Sequence, residues 1–204
     1  MPGEFIPVVE RSELIEPLSW FALKSAIAQC RDWPEPLSVA VNIAPSLLNN
    51  DEIVRVTSDA LAIFALAPHR LTLEVTETGF MEQPEVAFGV LGELRELGVR
   101  IAIDDFGTGY SSLSYFRDLP ADELKIDRSF VANMARSRGD ADIVKAIIDL
   151  AHNFSLKVVA EGVEDEQTAR ALCDLGCDCL QGYWFAKPMP AREYSKWLAR
   201  KLGA

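Results

Sequence analysis

Short apolar runs alternate with longer amphipathic stretches along the whole chain. Six runs rich in Val, Ile, Leu and Ala are bounded by turn residues, as is typical of buried strands, and they cover residues 37–43, 71–75, 99–104, 123–127, 157–161 and 178–185. Between these runs, apolar residues recur at helical spacing, most regularly at Ile143, Ile147, Leu150 and Phe154. This alternation predicts an α/β fold with a parallel sheet and right-handed crossovers.

The helices that we predict have apolar stripes bounded by Pro, Gly or capping residues. They cover residues 4–32, 45–66 with a break near 49–50, 84–97, a short stretch after Tyr110, 143–154, 166–175 and 193–202. Pro17 fits a first helical turn, Gly98 fits a helix end, and Asp165 fits an N-cap. Residues 136–142 are predicted to be a polar loop. Since no linker or change in composition divides the chain, we expect a single domain over residues 1–204.

The six predicted strands all finish in polar residues, most of which are carboxylates. In chain order these are Asn42, Glu74 with Glu77, Asp104 with Asp105, Lys125 with Asp127, Glu161 with Glu164, and Gln181. The carboxyl ends of parallel strands lie at one edge of a sheet, and they converge on one mouth if the sheet curls into a barrel. Carboxylates gathered there repel one another unless a partner compensates them, and Mg²⁺ or Mn²⁺ is the partner that carboxylate and amide oxygens favour. Two such ions suit phosphodiester hydrolysis, because one activates water and the other stabilises the leaving oxygen.

The two adjacent carboxylates of Asp104 and Asp105 need a special backbone to act together. Neighbouring side chains on a strand point to opposite faces, so these two share one site only if the strand ends there and the loop turns one of them back. Gly107 and Gly109 permit such a turn. The alternative is an ordinary turn in which the Asp side chains accept hydrogen bonds from the backbone.

Each of the other strand-end residues also has a purely structural interpretation. Asn42 fits a cap for the next helix, Glu77 a first-turn carboxylate, Lys125 a structural ion pair, Glu164 an ordinary surface position, and Gln181 a partner for backbone groups. Any one of these interpretations is reasonable by itself. Polar ends on six successive strands favour a common site over six separate coincidences.

Composition narrows the class of protein further. The chain has 204 residues and a net charge of −11, which argues against a general affinity for DNA, RNA or anionic lipid. No apolar run approaches the roughly 20 residues of a membrane span, and the N-terminus lacks the features of a signal peptide, so we expect a cytoplasmic protein. The spacing of Cys173, Cys177 and Cys179 fits no usual zinc pattern. The chain also lacks a P-loop and a dinucleotide-binding fingerprint.

The strand-end motifs together resemble those of the EAL family of bacterial cyclic-di-GMP phosphodiesterases, which act in second-messenger signalling. The matching stretches are Pro-Gly-Glu-Phe-Ile-Pro at 2–7, Val-Asn at 41–42, Leu-Glu-Val-Thr-Glu at 73–77, Asp-Asp-Phe-Gly-Thr-Gly-Tyr-Ser-Ser-Leu at 104–113, Leu-Lys-Ile-Asp at 124–127, Val-Val-Ala-Glu-Gly-Val-Glu at 158–164 and Gln-Gly-Tyr at 181–183. The resemblance covers essentially the whole chain. It implies a modified TIM-like barrel and metal-dependent hydrolysis of cyclic di-GMP to linear pGpG, with Mg²⁺ or Mn²⁺ in a two-metal site.

The resemblance also implies roles for individual residues. Asn42, Glu74 and Asp104 match metal ligands, and Asp105 matches a ligand of the second metal. Lys125 matches a lysine that contacts the water or phosphate, and Glu161 matches the general base.

Further matching residues are implied to support the site. Asp127, Glu164 and Gln181 match positions that support metal and substrate binding. Glu77 matches a glutamate that holds the loop of Phe106, Gly107, Thr108 and Gly109. In the family this loop and the helix after it couple homodimerisation to catalysis, so the implied partners are cyclic di-GMP and a second copy of the chain.

One family feature is missing from this sequence. In the family, a Glu-Ala-Leu segment precedes the stretch matched at 2–7, and its Glu is itself a metal ligand. We therefore expect an incomplete barrel with about six of eight strands, without the first two strands and without that ligand. Three hypotheses stay open at this point: an active phosphodiesterase, a non-catalytic cyclic-di-GMP-binding or protein-interaction module, and a truncated inactive product.

Overall fold

The computed structural model describes residues 2–10, 12–77, 83–107 and 117–203. Six strands form one parallel sheet in which the spatial order follows the chain order. The strands are β1 Val39–Asn42, β2 Leu71–Thr76, β3 Arg100–Phe106, β4 Glu123–Ile126, β5 Lys157–Ala160 and β6 Cys179–Leu180. The sheet curves into a half-barrel with helices on its outer side, so the predicted α/β fold with six parallel strands is confirmed.

Helices precede or follow each strand. They are α1 Pro2–Val9, α2 Ile15–Cys30, α3 Glu52–Phe64, α4 Pro84–Glu96, α5 Arg128–Met134, α6 Arg138–Asn153, α7 Glu166–Asp174 and α8 Ala191–Leu202, with short 3₁₀ helices at Pro45–Asn49 and Pro68–Arg70. Among the described residues, none of the helices has both the length and the apolar character that a membrane crossing requires. The helix predicted after Tyr110 lies outside the described residues.

Several local features differ from the predictions. The strand predicted over 178–185 is only β6, Cys179–Leu180, because the chain turns at Gly182, whose carbonyl accepts a hydrogen bond from the N–H of Phe185. The stretch predicted as one helical region over 4–32 is divided into α1 and α2. The predicted polar loop at 136–142 is mostly the first turn of α6, because the Ser137 side chain accepts a hydrogen bond from the backbone N–H of Asp140 and caps the helix. Helix α5, which begins directly after β4, was not predicted.

The two faces of the sheet have opposite character. On the face covered by helices, Leu73, Ile101, Leu124 and Val158 are completely buried and belong to the main apolar core. The strand register places Glu74, Asp104 and Lys125 on the other, concave face. On that face Ala102 is paired with Glu74, and Val159 is paired with Lys125. The apolar core therefore packs the convex face of the sheet against the helices, and the concave face carries the polar side chains that can act in a functional site.

An aspartate at the amino end of the sheet joins β3 to β4. Asp122, just before β4, accepts a hydrogen bond from the backbone N–H of Ile101 in β3 at 2.9 Å. The guanidinium of Arg95, at the end of α4, pairs with the same carboxylate at 2.8 Å. We call this arrangement the first amino-end tether.

The same arrangement recurs between β5 and β6. Asp178, just before β6, accepts a hydrogen bond from the N–H of Val158 in β5 at 2.8 Å, and Nε2 of His152 in α6 lies 2.9 Å from its carboxylate. In both tethers the basic side chain comes six positions before the strand residue, 95 before 101 and 152 before 158. We call this the second amino-end tether.

Candidate active site

The centre of the candidate site is the ammonium group of Lys125 on the concave face of β4. Its Nζ lies 2.8 Å from Oε2 of Glu74, 3.1 Å from Oδ1 of Asp104 and 2.6 Å from Oε1 of Glu161. The Lys125 side chain is only 3% exposed. Three carboxylates from three different strand ends therefore surround one buried cation.

The parallel register explains why these side chains meet. Asn42 in β1 is paired with Glu74 in β2, so the Asn42 amide and the Glu74 carboxylate start from the same level of the sheet. Asp104 lies two residues beyond Ala102, the partner of Glu74, and therefore on the same face. Lys125 is paired with Val159, which places Glu161 two residues further along on that face. Local sequence and strand pairing thus bring the predicted strand-end residues to one place.

Burial and neighbouring charges perturb the central groups. Burial opposes the charge of Lys125, but the carboxylates of Glu74, Glu161 and Asp104 outweigh it and hold the pKa of Lys125 well above its ordinary value. The pKa of Glu74 is also raised, mainly by burial and then by repulsion from Asp104 and Glu161, while the charge of Lys125 opposes that rise. One ammonium cannot fully compensate three acids, so the site retains negative charge that favours a further cation.

The backbone turns at Asp105, as it must if Asp104 and Asp105 share one site. Its φ is +55°, in the left-handed region, and its backbone N–H donates to Oδ1 of Asp104 at 3.0 Å. The pKa of Asp105 is raised by partial burial and then by the charges of Asp104 and Asp127. The strand therefore does turn at this point, and Asp105 stands close enough to two other acids to feel their charge.

Asp127 has a clear local contact of its own. Its carboxylate caps α5 by accepting hydrogen bonds from the backbone N–H of Ser129 at 2.9 Å and from the Ser129 hydroxyl at 2.5 Å. Although partial burial opposes the effect, these bonds lower the pKa of Asp127. Asp127 is therefore held at the mouth of the sheet, beside Asp105.

Glu77 contacts the backbone at the start of the loop after β3. Its Oε2 accepts a hydrogen bond from the backbone N–H of Gly107 at 3.1 Å, and the residue is buried. Gly107 has a φ of +90°, and Phe106 before it is buried in the core. Thr108 and Gly109, the other two loop residues of the prediction, lie outside the described residues.

Three other predicted residues lie at or after the carboxyl ends of β1, β5 and β6. Asn42, Glu164 and Gln181 are exposed, and none of the ion pairs of the described residues joins Glu164 to the Lys125 cluster. The structure also shows a contact that the sequence did not indicate. Gly162, with φ at +70°, packs so closely against Arg128 that a Cβ there would lie 2.5 Å from Cβ of Arg128.

The donor set fits a hard divalent cation. Glu74 and Asp104 direct carboxylate oxygens from adjacent strands towards one positive centre, with the Asn42 amide at the level of Glu74 and the Asp105 carboxylate next along the chain. Within the described ranges, no group of three or more His, Cys, Asp or Glu side chains is arranged to hold a metal ion, so the fit lies in the type of donor. The carboxylates that would ligate an ion are the ones that contact Lys125, so ion binding and these ion pairs are directly linked.

Several known proteins are similar to this chain in sequence. A family model described as the EAL domain matches residues 1–188. A bifunctional diguanylate cyclase/cyclic di-GMP phosphodiesterase, MucR of Pseudomonas aeruginosa, is 42% identical over 94% of this chain and 29% of its own length. Cyclic di-GMP phosphodiesterase NbdA of the same organism is 42% identical over 97% of this chain and 26% of its own length. The chain thus spans about a quarter to a third of the curated relatives it matches.

Solved structures agree with the sequence relatives. A structure described as the PaMucR phosphodiesterase in complex with c-di-GMP superposes with a TM-score of 0.90 at 41% identity, covering 95% of this chain and 80% of that one. The EAL domain of Mycobacterium smegmatis DcpA superposes with a TM-score of 0.87 at 38% identity, covering 92% of this chain and 86% of that one. The parallel half-barrel, the acids at its strand ends and these matches lead to one conclusion: the chain belongs to the EAL domain family.

Proposed function

We propose that this chain hydrolyses cyclic di-GMP to linear pGpG with the help of Mg²⁺ or Mn²⁺. The observation that carries the proposal is the Lys125 cluster, in which three acids at the strand ends of an EAL domain converge on one cation. Relatives of similar sequence carry the name cyclic di-GMP phosphodiesterase, and a similar structure is described as a c-di-GMP complex. The net charge of −11 makes cations necessary for approach of a phosphate substrate.

In this proposal the chain's own oxygens hold the divalent ions. Asn42, Glu74 and Asp104 provide one ligand set, and Asp105 contributes to a second. When bound, such ions supply Lewis-acid stabilisation of the phosphate and lower the pKa of a bound water. The left-handed turn at Asp105 supports this assignment, because it brings the second carboxylate within the influence of the first.

Two residues are assigned to the proton and the phosphate. Glu161 acts as the general base that takes the proton from the attacking water, and its contact with Lys125 at 2.6 Å holds its carboxylate in place. Lys125 steadies the acids and meets the phosphate with its positive charge. Asp127, Glu164 and Gln181 support the substrate and metal sites from the mouth of the half-barrel.

The loop and a second copy of the chain complete the proposal. Glu77 fixes the backbone at Gly107. The loop after Asp105 and the helix that follows it are proposed to carry the homodimer contact that couples assembly to the site. The partners are therefore cyclic di-GMP and another copy of the chain.

Turnover by the purified chain tests the proposal. Cyclic di-GMP is incubated with Mn²⁺, and pGpG is measured by chromatography for the wild type, for Asp104→Asn and for Asp149→Asn. Asp149 carries an exposed carboxylate on α6 paired with Lys145, so its variant is a control for loss of charge alone. Asp104→Asn is expected to lower turnover about 100-fold or more, because an outer change around a metal already costs about 10–100-fold.

The other outcomes separate the open alternatives. Wild-type protein that binds cyclic di-GMP without forming pGpG would be a non-catalytic binding module. Wild-type protein that neither binds nor hydrolyses the dinucleotide would contradict the proposal altogether. Equal turnover by wild type and Asp104→Asn would show that the Lys125 cluster has no role in the hydrolysis.

A further inference from the structure

The segment directly after β5 carries two candidate site residues but is neither helix nor strand. Residues 161–164 include Glu161 and Glu164, and their backbone is held from both sides. The N–H of Glu161 donates to the carbonyl of Ile126 in β4 at 3.1 Å. On the other side, the N–H of Val163 donates to the carbonyl of Gln181 at 3.0 Å.

Gly182 is the point where the segment after β6 touches this backbone. The N–H of Trp184 donates to the carbonyl of Val163 at 3.0 Å, so Val163 is hydrogen-bonded to residues on both sides of Gly182. A Cβ at Gly182 would lie 2.7 Å from the carbonyl carbon of Val163 and closer still to its nitrogen and oxygen. All three atoms belong to the backbone, so a side-chain rotation cannot relieve the overlap.

Gly176 differs from Gly182 in this respect. Gly176, just before β6, has a φ of +86°, but no atom lies within 4 Å of a Cβ built there. An alanine at Gly176 is therefore strained in its own backbone without pushing on a neighbour. Gly182 has no such φ, and its need for glycine comes from the close approach alone.

The close approach is connected to the Lys125 cluster through two residues of backbone. An ordinary contact of a Cβ begins at about 3.4 Å, so an alanine at Gly182 separates the two segments by roughly 1 Å. Glu161 lies two residues before Val163, and its Oε1 is 2.6 Å from Nζ of Lys125. A shift of about 1 Å in a reacting group costs about 100-fold in rate.

We propose that Gly182 is a positioning residue of the phosphodiesterase site, which sets the place of Glu161 by letting two backbone segments touch. This inference rests on the proposed function. It predicts that a methyl group on Gly182 moves the Glu161 segment without touching substrate or metal itself.

Hydrogen exchange and kinetics of Gly182→Ala and Gly176→Ala test the inference. In the wild type, the amides of Val163 and Trp184 are expected to exchange slowly, as hydrogen-bonded groups do. Gly182→Ala is expected to lose this protection locally and to lower kcat with Mn²⁺ at least 10-fold, with KM for cyclic di-GMP within threefold. Gly176→Ala is expected to melt at a lower temperature but to keep both the protection and kcat within twofold.

The outcomes distinguish this inference from the proposed function. A wild type without hydrolysis contradicts the proposed function, whereas slow exchange at Val163 and Trp184 in that same protein still supports the contact. Fast exchange of these two amides in the wild type overturns the inference without the use of a variant. The inference can therefore be refuted even if the Gly182→Ala protein fails to fold. A folded Gly182→Ala with wild-type kcat, or a Gly176→Ala with the same loss of kcat, overturns it as well.

Discussion

Removal of the Lys125 ammonium is the most direct perturbation of the cluster at the strand ends. Lys125→Met keeps a long apolar stem and removes the charge that lies 2.8, 3.1 and 2.6 Å from oxygens of Glu74, Asp104 and Glu161. Loss of one partner from a buried ion pair costs about 3–5 kcal/mol, because the remaining charge is left uncompensated. Each kcal/mol lowers the Tm of a domain of this size by about 2–4 °C, so we expect a fall of roughly 6–20 °C.

A second lysine provides the matched control. Lys145 pairs with Asp149 at 2.8 Å on the surface of α6, and their side chains are 54% and 57% exposed. An exposed helical pair of this kind contributes about 0.3–0.5 kcal/mol. Lys145→Met is therefore expected to change Tm by no more than about 2 °C.

The pH dependence of the fall in Tm of Lys125→Met identifies its cause. The pKa of Lys125 is raised in the folded protein, so Lys125 stays charged below its unfolded pKa of about 10.4, and its own titration adds no pH dependence to the fall in Tm between pH 5 and pH 8. The pKa of Glu74, by contrast, is raised mainly by burial, so Glu74 gains a proton as the pH falls, and this protonation relieves repulsion in the cluster once Lys125 is gone. The loss of Tm in Lys125→Met should therefore be larger at pH 8 than at pH 5, measured by thermal unfolding in EDTA. Equal losses for Lys125→Met and Lys145→Met at pH 8 would refute the reasoning.

Two further predictions concern groups outside the cluster. Burial raises the pKa of Glu123, although the charges of Arg100 and Lys157 oppose the rise, so unfolding releases protons from Glu123 and stability falls as the pH rises from its unfolded pKa to its folded pKa. Relative to wild type, Glu123→Gln should therefore gain stability from pH 4 to pH 7 in urea unfolding, and a difference that stays constant with pH would count against the prediction. Asp122→Ala should lower the free energy of unfolding by about 1–3 kcal/mol, because the N–H of Ile101 loses its acceptor, and a loss below 0.5 kcal/mol would speak against the first amino-end tether.

The sequence was sufficient for the parallel sheet and for the grouping of residues at its edge. Lys125 and Glu74 each interrupt an apolar run, and the period of two then requires both side chains to share the concave face once the register is set. Strict alternation of strands and helices predicted parallel strands with right-handed crossovers, but the spatial order of the strands came from the structure. The direct contact of Lys125 with three acids depends on the curvature of the sheet, and this curvature cannot be predicted from a local sequence pattern.

The sixth strand shows where a local pattern was insufficient. The aromatic run at Tyr183, Trp184 and Phe185 favours a strand, but β6 ends at Leu180. The N–H of Phe185 donates to the carbonyl of Gly182 at 3.1 Å in a turn, and all three aromatic side chains are about half exposed. The close approach to Val163 redirects the chain there, and such a contact between distant segments cannot be predicted from spacing.

The two amino-end tethers have a consequence for how this domain changes during evolution. Asp122 and Asp178 fix strand pairing at the amino end of the sheet, whereas Asp104, Lys125 and Glu161 lie at the carboxyl end. Inheritance of the fold and inheritance of the chemistry therefore depend on separate sets of residues. A descendant that loses its acids at the carboxyl end keeps the contacts that align its strands, and it survives as a stable scaffold open to new uses.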